Sequence, residues 1–398
     1  MIIKEEYNGA VCKNPQPYGC KEAIKKQIKY VEGKGKFNGA KKALIIGASS
    51  GYGLATRISI GFGAEADTIG VSFEVGTSEK RPTATAGWWN NIWFKELAES
   101  KGRIAKNFVG DAFSNDMKKS VIDYIKEEFG GKVDLVVYSL ASGRRTDPID
   151  GKTYMSALKS IDGEVVASTI DITTKQIVDG KMEKATQEDI YNTVKVMGGE
   201  DWKLWIEFLS EAGVLAEGCK TTAYSYEGPK AMYPIYEGGT IGAAKRDLEK
   251  TAIEINGFLN DKVEGEAFVS VCKALVTKAS AFIPLFPIYC SILYKVMKAN
   301  GTHEDCIAQI ERLLVDMVYG NKRNVDSKER VRADNLEMIP EVQAKVEKIM
   351  DSITSKTLMS ESDFKGFLQE FSQLNGFGFD KVNYDEDIDL DEISSLNY

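Results

Sequence analysis

The chain has a single histidine, His303, among its 398 residues. A metal site built from several histidines is therefore excluded, and histidine-based acid catalysis has only one candidate. Cysteine is also sparse. Cys12, Cys20, Cys219, Cys272, Cys290 and Cys306 form no C-x-x-C pair and no dense framework, which predicts a reducing, cytoplasmic setting. Basic charge is not in excess. A net charge of -8 argues against broad nucleic-acid binding and leaves room only for a local basic pocket. The opening residues Met1-Ile2-Ile3-Lys4-Glu5-Glu6 carry charge where a signal peptide needs an apolar core. No long apolar run exists either. The least polar stretch, Ala279 to Tyr294, is short for a membrane span and holds Pro284 and Pro287. It predicts a buried helix broken by proline and no transmembrane segment. The tail Asp385-Glu386-Asp387-Ile388-Asp389-Leu390 has Leu390 where a calcium loop turns on glycine, so a solvated acidic tail is expected and no metal. His303-Glu304-Asp305-Cys306 reads as the first turn of a helix.

Against these absences stands one dense stretch, Gly47-Ala48-Ser49-Ser50-Gly51-Tyr52-Gly53-Leu54-Ala55. The preceding run Ala43-Leu44-Ile45-Ile46 suits a buried parallel strand, and Tyr52 to Ile60 reads as a helix. A strand that turns sharply into a helix needs glycine where φ is positive or another group comes close. The helix start then offers free N–H groups and partial positive charge, which suit a pyrophosphate. An ordinary glycine-rich turn would look the same on these residues alone. A second apolar run, Thr68 to Phe73, ends at Glu74, twenty-one residues beyond Gly53. Taken singly, Glu74 is equally a solvated strand-end carboxylate. Strand, turn, helix, strand and acid in this order predict a dinucleotide site with the acid on the adenosine ribose. A carboxylate there repels a 2′-phosphate, so NADH is expected over NADPH.

The rest of the chain keeps the same rhythm. Asn107-Phe108-Val109 predicts a third strand, and the helix after it carries Met117, Val121, Ile122 and Ile125 on one face. Val133 to Tyr138 predicts a fourth strand. Strand and helix in alternation imply an α/β fold with a doubly wound parallel sheet. Residues 140–200 interrupt it: Glu164 to Ile172 alternates like a strand and suggests a small β-hairpin insert, with helices at 186–197 and 200–212. Thr221 to Ser225 resumes the sheet, a helix follows at 240–258 and a late strand at 267–271, and the remainder reads as mostly helical. The expected organisation is an N-terminal extension over 1–40 with a helix at Lys21–Tyr30, a cofactor-binding catalytic domain over 41–320, and a helical region over 321–398 belonging to the same domain.

Tyr236 and Lys245 are the candidate chemical pair. A tyrosine hydroxyl can stabilise a developing oxyanion when a nearby cation lowers its pKa or orients the network. The two lie nine residues apart, which on one continuous helix would put them on opposite faces. Gly238-Gly239 between them predicts a break, with Lys245 projecting from the helix and Tyr236 folding back from the loop before it. A packed tyrosine and a surface lysine remain the alternative on spacing alone.

With the glycine-rich stretch and the Tyr236-x8-Lys245 pair, several further stretches match one family. They are Gly87-Trp88-Trp89-Asn90-Asn91, Gly110-Asp111-Ala112-Phe113-Ser114, Tyr138-Ser139-Leu140-Ala141-Ser142, Val196-Met197-Gly198-Gly199-Glu200-Asp201-Trp202, Ala274 to Ala281, and Leu374-Asn375-Gly376-Phe377. Together they resemble the trans-2-enoyl-CoA/enoyl-ACP reductase family of the FabV/TER type, over nearly the whole chain. The resemblance implies a Rossmann-like fold, NADH as cofactor, and an enoyl-CoA or enoyl-ACP substrate reduced at its C2=C3 double bond. A cytoplasmic monomer with no nucleic-acid partner is expected. It places Gly47, Ala48, Ser49, Ser50, Gly51 and Tyr52 against the dinucleotide, Phe73 and Glu74 at the adenosine ribose, and Asp111 and Ala112 at the adenine. Ser139 and Leu140 would line the cofactor cleft, and Leu275, Val276 and Thr277 would hold the nicotinamide end. Tyr236 would be the proton donor, Lys245 a cofactor ligand, and Tyr226 a contact to the thioester end, with Ala279–Tyr294 as an apolar wall for the acyl chain. Four positions depart from the family pattern: Trp89 replaces a Tyr, Gln16 stands where His-Pro is common, Cys272 replaces an Asn and Phe367 a Tyr. Carbonyl reduction of the short-chain dehydrogenase kind uses the same Tyr and Lys logic, and a non-catalytic NADH sensor would share the turn.

Overall fold

The computed structural model describes residues 1–9 and 11–396. Seven strands form one sheet: β1 (Lys42–Ile46), β2 (Asp67–Ser72), β3 (Ala105–Val109), β4 (Val133–Tyr138), β5 (Leu215–Ser225), β6 (Glu266–Val271) and β7 (Val331–Arg332). Their order across the sheet is β7-β6-β5-β4-β1-β2-β3, and every pairing is parallel. The order reverses between β1 and β4, which opens a crevice at their carboxyl ends. The fold is the expected Rossmann-like doubly wound sheet.

Burial on both faces explains why the inner strand β1 is apolar from Ala43 to Ile46. Ala43 and Ile45 enter one hydrophobic cluster while Leu44 and Ile46 enter another. The first cluster lies beneath helices α1 (Pro17–Lys34), α2 (Gly51–Ile58) and α3 (Ala86–Glu99). The second lies beneath α4 (Asn115–Glu127), which follows β3, and α6 (Glu200–Glu211), which follows α5 (Gln187–Met197), with α7 (Thr240–Val263) between β5 and β6. A third cluster gathers beyond the sheet, where α8 (Phe286–Ala299) packs on α10 (Pro340–Met350) and α11 (Phe364–Gln373); α9 (Cys306–Arg312) precedes the last two.

Several expectations are corrected. The stretch 164–172 is two short strands. Val165–Val166 pairs with Lys181–Met182, and Thr169–Asp171 pairs with Gln176–Val178. The Asp171 carboxylate accepts from the Thr173 and Thr174 N–H groups and so closes the second hairpin. The apolar stretch 279–294 is buried over most of its length, but proline does not break its helix. Pro287 sits in the first turn of α8, where the missing N–H costs nothing, and the helix runs on to Ala299. His303 precedes a helix rather than starting one, because Asp305 takes the N-cap and accepts from Ala308 N–H at 3.0 Å. The acidic tail exposes its carboxylates, as expected, but Ile388 and Leu390 are buried beside Ile3 in the first cluster. The first helix is longer than its periodic core: Pro17 starts it, and Gln16 caps it by accepting from Gly19 N–H at 2.8 Å. Among the described residues no helix is long and apolar enough to cross a membrane.

Candidate active site

The glycine-rich turn lies at the carboxyl end of β1, at the crevice. Gly47 and Ala48 donate backbone N–H groups to Val71 O at 2.8 and 3.1 Å. Gly47 has a φ of +95°, and a Cβ there would lie 2.2 Å from Ser139 O. Only glycine can hold the turn this close to the end of β4. Ser50 is the N-cap residue of α2, and its side chain makes no capping bond, so the first N–H groups of α2 face the crevice without that partner. Gly51 faces Thr277 across the cleft, where a Cβ would meet Thr277 Cγ2 at 3.5 Å. The Tyr52 hydroxyl donates to Lys273 O at 2.8 Å.

The acid falls where its spacing put it, just past β2. Ser49 Oγ donates to Glu74 Oε1 at 2.5 Å, and Thr85 Oγ1 donates to Oε2. The carboxylate lies over Gly87 in the first turn of α3, where a Cβ would stand 1.9 Å from Oε1. The Gly87-Trp88-Trp89-Asn90-Asn91 stretch thus has a mechanical role. Gly87 admits Glu74, Asn90 Nδ2 donates to Ser49 O at 2.9 Å, and Asn91 Nδ2 donates to Ser72 Oγ at 2.9 Å. Trp89 is fully buried and bonds Thr83 O at 2.8 Å. Phe73 is 70% exposed beside Glu74, an apolar ring offered to the cleft rim. Asp111 is exposed and turns its carboxylate to Phe113 N–H at 2.9 Å. Ala112 is buried, its carbonyl held by Lys118 Nζ at 3.3 Å and Trp205 Nε1 at 3.1 Å. Ser139 N–H donates to Ile46 O at 2.7 Å, which ties Ser139-Leu140 to the turn.

These residues fit a dinucleotide: a backbone cradle that a Cβ would fill, a helix start facing it, and a carboxylate at the second strand end. A cavity of about 580 Å³ opens beside the turn, lined among others by Ser50, Gly51, Asn90 and Val276.

The tyrosines sit beyond β5 and before α7. Tyr226 and Tyr236 meet edge to face, ring centroids 4.7 Å apart. Tyr236 occupies the turn before α7, as expected, and Gly242 makes that turn possible, since a Cβ there would fall 1.7 Å from Tyr236 O. Tyr236 is buried, and its hydroxyl makes no hydrogen bond to a described residue. Burial, reinforced by the Glu337 charge, pushes its pKa well up, so the hydroxyl stays protonated. This differs from a tyrosine acidified by a cation. Lys245 projects from α7, and its Nζ donates to Tyr224 O at 3.4 Å. Burial pulls its pKa down to about 8. Val276 N–H donates to the Tyr294 hydroxyl at 3.2 Å, while Leu275 O and the Thr277 N–H both bond Ser280 Oγ. Cys272 and Phe367 are both buried, and Phe367 lies in the cluster that holds Tyr236.

One residue was missed entirely. Glu337, with no accessible surface, accepts from the Tyr226 hydroxyl at 3.0 Å and the Tyr289 hydroxyl at 2.6 Å on Oε1, and from Ala274 N–H at 2.6 Å on Oε2. Burial raises its pKa against the pull of Lys273 and the Tyr289 bond. The sequence around it, Leu336-Glu337-Met338, carries no periodic or motif signal.

Family models match almost the full length. Residues 2–79 match the NAD(P)H binding domain of trans-2-enoyl-CoA reductase, 82–319 its catalytic region, and 325–388 an enoyl reductase FAD binding domain. The last stretch does not fit a flavin. It holds no strand, glycine-rich turn and helix in succession, Val342, Val346, Phe364, Phe367 and Phe371 are spent on the core, and Glu337 is already bonded. The trans-2-enoyl-CoA reductase [NADH] of Clostridium beijerinckii is 51% identical over 398 residues, the whole of both chains. An enoyl-[acyl-carrier-protein] reductase [NADH] of Photobacterium profundum is 50% identical, again over the whole of both. The crystal structure of Clostridium acetobutylicum trans-2-enoyl-CoA reductase in complex with NADH superposes with a TM-score of 0.97 at 49% identity, covering 100% of each chain. Turn, acid, tyrosine pair and lysine therefore stand in a chain that matches end to end, and the protein belongs to the trans-2-enoyl-CoA reductase family.

Proposed function

We propose that this enzyme, an NADH-dependent reductase of trans-2-enoyl thioesters, uses Tyr236 as its proton donor and Lys245 as a ligand of the nicotinamide ribose. The bound NADH supplies the hydride that adds to the β-carbon. Negative charge then moves to the thioester oxygen, where the Tyr236 hydroxyl stabilises it and gives up the proton that ends on the α-carbon. Lys245 keeps positive charge beside the cofactor. Tyr226 shapes the thioester end. Leu275, Val276 and Thr277 bear on the nicotinamide, and α8 with its preceding loop shelters the acyl chain. Gly47 to Tyr52, Phe73, Glu74, Asp111, Ala112, Ser139 and Leu140 hold the rest of the dinucleotide. The observation that carries this reading is the buried Tyr236, whose hydroxyl bonds no described residue, packed edge to face on Tyr226. A cytoplasmic enzyme fits six free cysteines of which five are buried, and a monomer is our working assignment.

The test is NADH oxidation with short trans-2-enoyl-CoA esters and, in parallel, with acetoacetyl-CoA. Turnover of the enoyl ester and not the ketoester supports the reading. The reverse preference would make the enzyme a carbonyl reductase, and binding of NADH without turnover of either would make it a sensor.

A further inference from the structure

We propose that Glu337 is a positioning residue for this reaction, holding the Tyr226 proton so that only Tyr236 presents a donatable one. The inference rests on the reading of Tyr236 as proton donor.

A tyrosine hydroxyl has one proton and two lone pairs, and an ionised carboxylate accepts only. Around the Glu337 carboxylate stand three donors: the Tyr226 hydroxyl, the Tyr289 hydroxyl and the Ala274 N–H. The proton of Tyr226 is thereby committed away from the substrate. The Tyr236 hydroxyl, with no such partner among the described residues, keeps its proton for the thioester oxygen. The two rings meet edge to face at 4.7 Å, so fixing one ring fixes the wall of the other. The second carboxylate oxygen grips the backbone at Ala274, directly before Leu275, Val276 and Thr277. One side chain thus sets the tyrosine wall and the start of the nicotinamide-side segment. Gln343 closes the arrangement from behind, its Nε2 donating to the Tyr289 hydroxyl at 3.0 Å and to Glu337 O at 2.7 Å.

A buried hub that served stability alone would have the same bonds, so the test must read coupling rather than loss. Steady-state kinetics on a short trans-2-enoyl-CoA, with NADH binding measured separately, are compared for the unmodified enzyme, E337Q, Y226F and the double variant. E337Q is expected to lower kcat about tenfold while Tyr226 is present, and less than twofold once Tyr226 is phenylalanine. Its weakening of NADH binding, which runs through Ala274, should be the same in both backgrounds. A tenfold loss of kcat in both backgrounds, or no loss in either, overturns the proposal. Should E337Q not fold, E337D replaces it in the same cycle with the same criterion, since its shorter arm draws the carboxylate away from Tyr226. Tyr236→Phe run alongside separates the two readings. If Tyr236→Phe abolishes turnover and the cycle shows no coupling, only the role of Glu337 falls. If Tyr236→Phe turns over normally, the donor assignment itself falls, and this inference with it.

Discussion

The glycine-rich turn and the tyrosine pocket are built by opposite means. At the turn, function depends on atoms that are absent. Gly47 lies against Ser139 O and Gly87 lies under Glu74, and a single methyl at either would collide. Its closest ties, Ser49 to Glu74 and Gly47 to Val71, run to the neighbouring strand β2 and the residue just past its end. In the pocket, function depends on side chains brought from far apart. Tyr226 reaches Glu337 across 111 residues, and Ala274 reaches it across 63. The turn is rigid because backbone geometry leaves no alternative. The pocket is rigid only while its buried polar groups stay paired. Substitutions should therefore fail in different ways, sterically in one region and electrostatically in the other.

The largest effect is expected from Gly47→Ala. A left-handed φ of +95° and a Cβ placed 2.2 Å from a carbonyl oxygen cannot both be kept. Titration with NADH should show no saturable binding, and thermal melting should shift downward as well. Near-normal NADH affinity would break the contrast at its root. Tyr236→Phe comes next and is the electrostatic counterpart. It removes one oxygen, so fold and NADH binding should persist while kcat on an enoyl thioester falls by about 10²–10⁴. A loss of NADH binding in this variant would instead place Tyr236 with the turn.

The same contrast explains what could be read from the sequence. β1 and β4 are near-continuous apolar runs because both sheet faces are covered, and the turn announces itself through glycine spacing and through Glu74 at a fixed distance. Tyr236 and Lys245 were legible as candidates, and the glycines between them correctly implied a break. β7 has only two residues, too few for any periodicity. The strand expected over 164–172 failed because alternation carries no sign of where a hairpin closes, which Asp171 decides. His303 was misplaced because Asp305, two residues later, competes better for the N-cap. Glu337 left no trace because nothing local buries it. Its partners come from the segment just after β5, from α8 and from the loop after β6.

A third, intermediate effect concerns Lys245. Burial lowers its pKa from 10.5 to about 8. Between those values the unfolded chain binds more protons than the folded one, so this group makes stability rise with pH across about 8 to 10.5. Activity should run the other way. The ammonium form is the one proposed to serve the ribose, so kcat/KM for NADH should fall as pH rises through about 8, approaching tenfold per unit. Lys245→Arg keeps its charge throughout, so its profile should lack that limb even if its overall rate is lower. A pH series on both forms checks this. A limb retained in the arginine variant would mean that another group titrates there.

The smallest effect, and the one that tests the turn most selectively, is cofactor preference at Glu74. Its carboxylate is held by Ser49 and Thr85 and lies over Gly87, so its charge sits at a defined point. A 2′-phosphate placed there would meet a fixed negative charge, partly screened by solvent because Glu74 is only half-buried. Glu74→Ala removes the repulsion but also the proposed hydrogen bonds to the ribose, so kcat/KM should fall modestly with NADH and rise with NADPH. The ratio of the two should narrow by about tenfold, one close charge–charge contact at intermediate dielectric. Gly87→Ala supplies the discriminating control, because it leaves the carboxylate in place chemically but forces it to move. If position matters as the packing implies, Gly87→Ala should narrow the ratio too, though less than Glu74→Ala. Measuring kcat/KM for both cofactors in the three proteins decides it. An unchanged ratio in Glu74→Ala would detach this carboxylate from the ribose and leave the preference for NADH to be sought elsewhere on the rim.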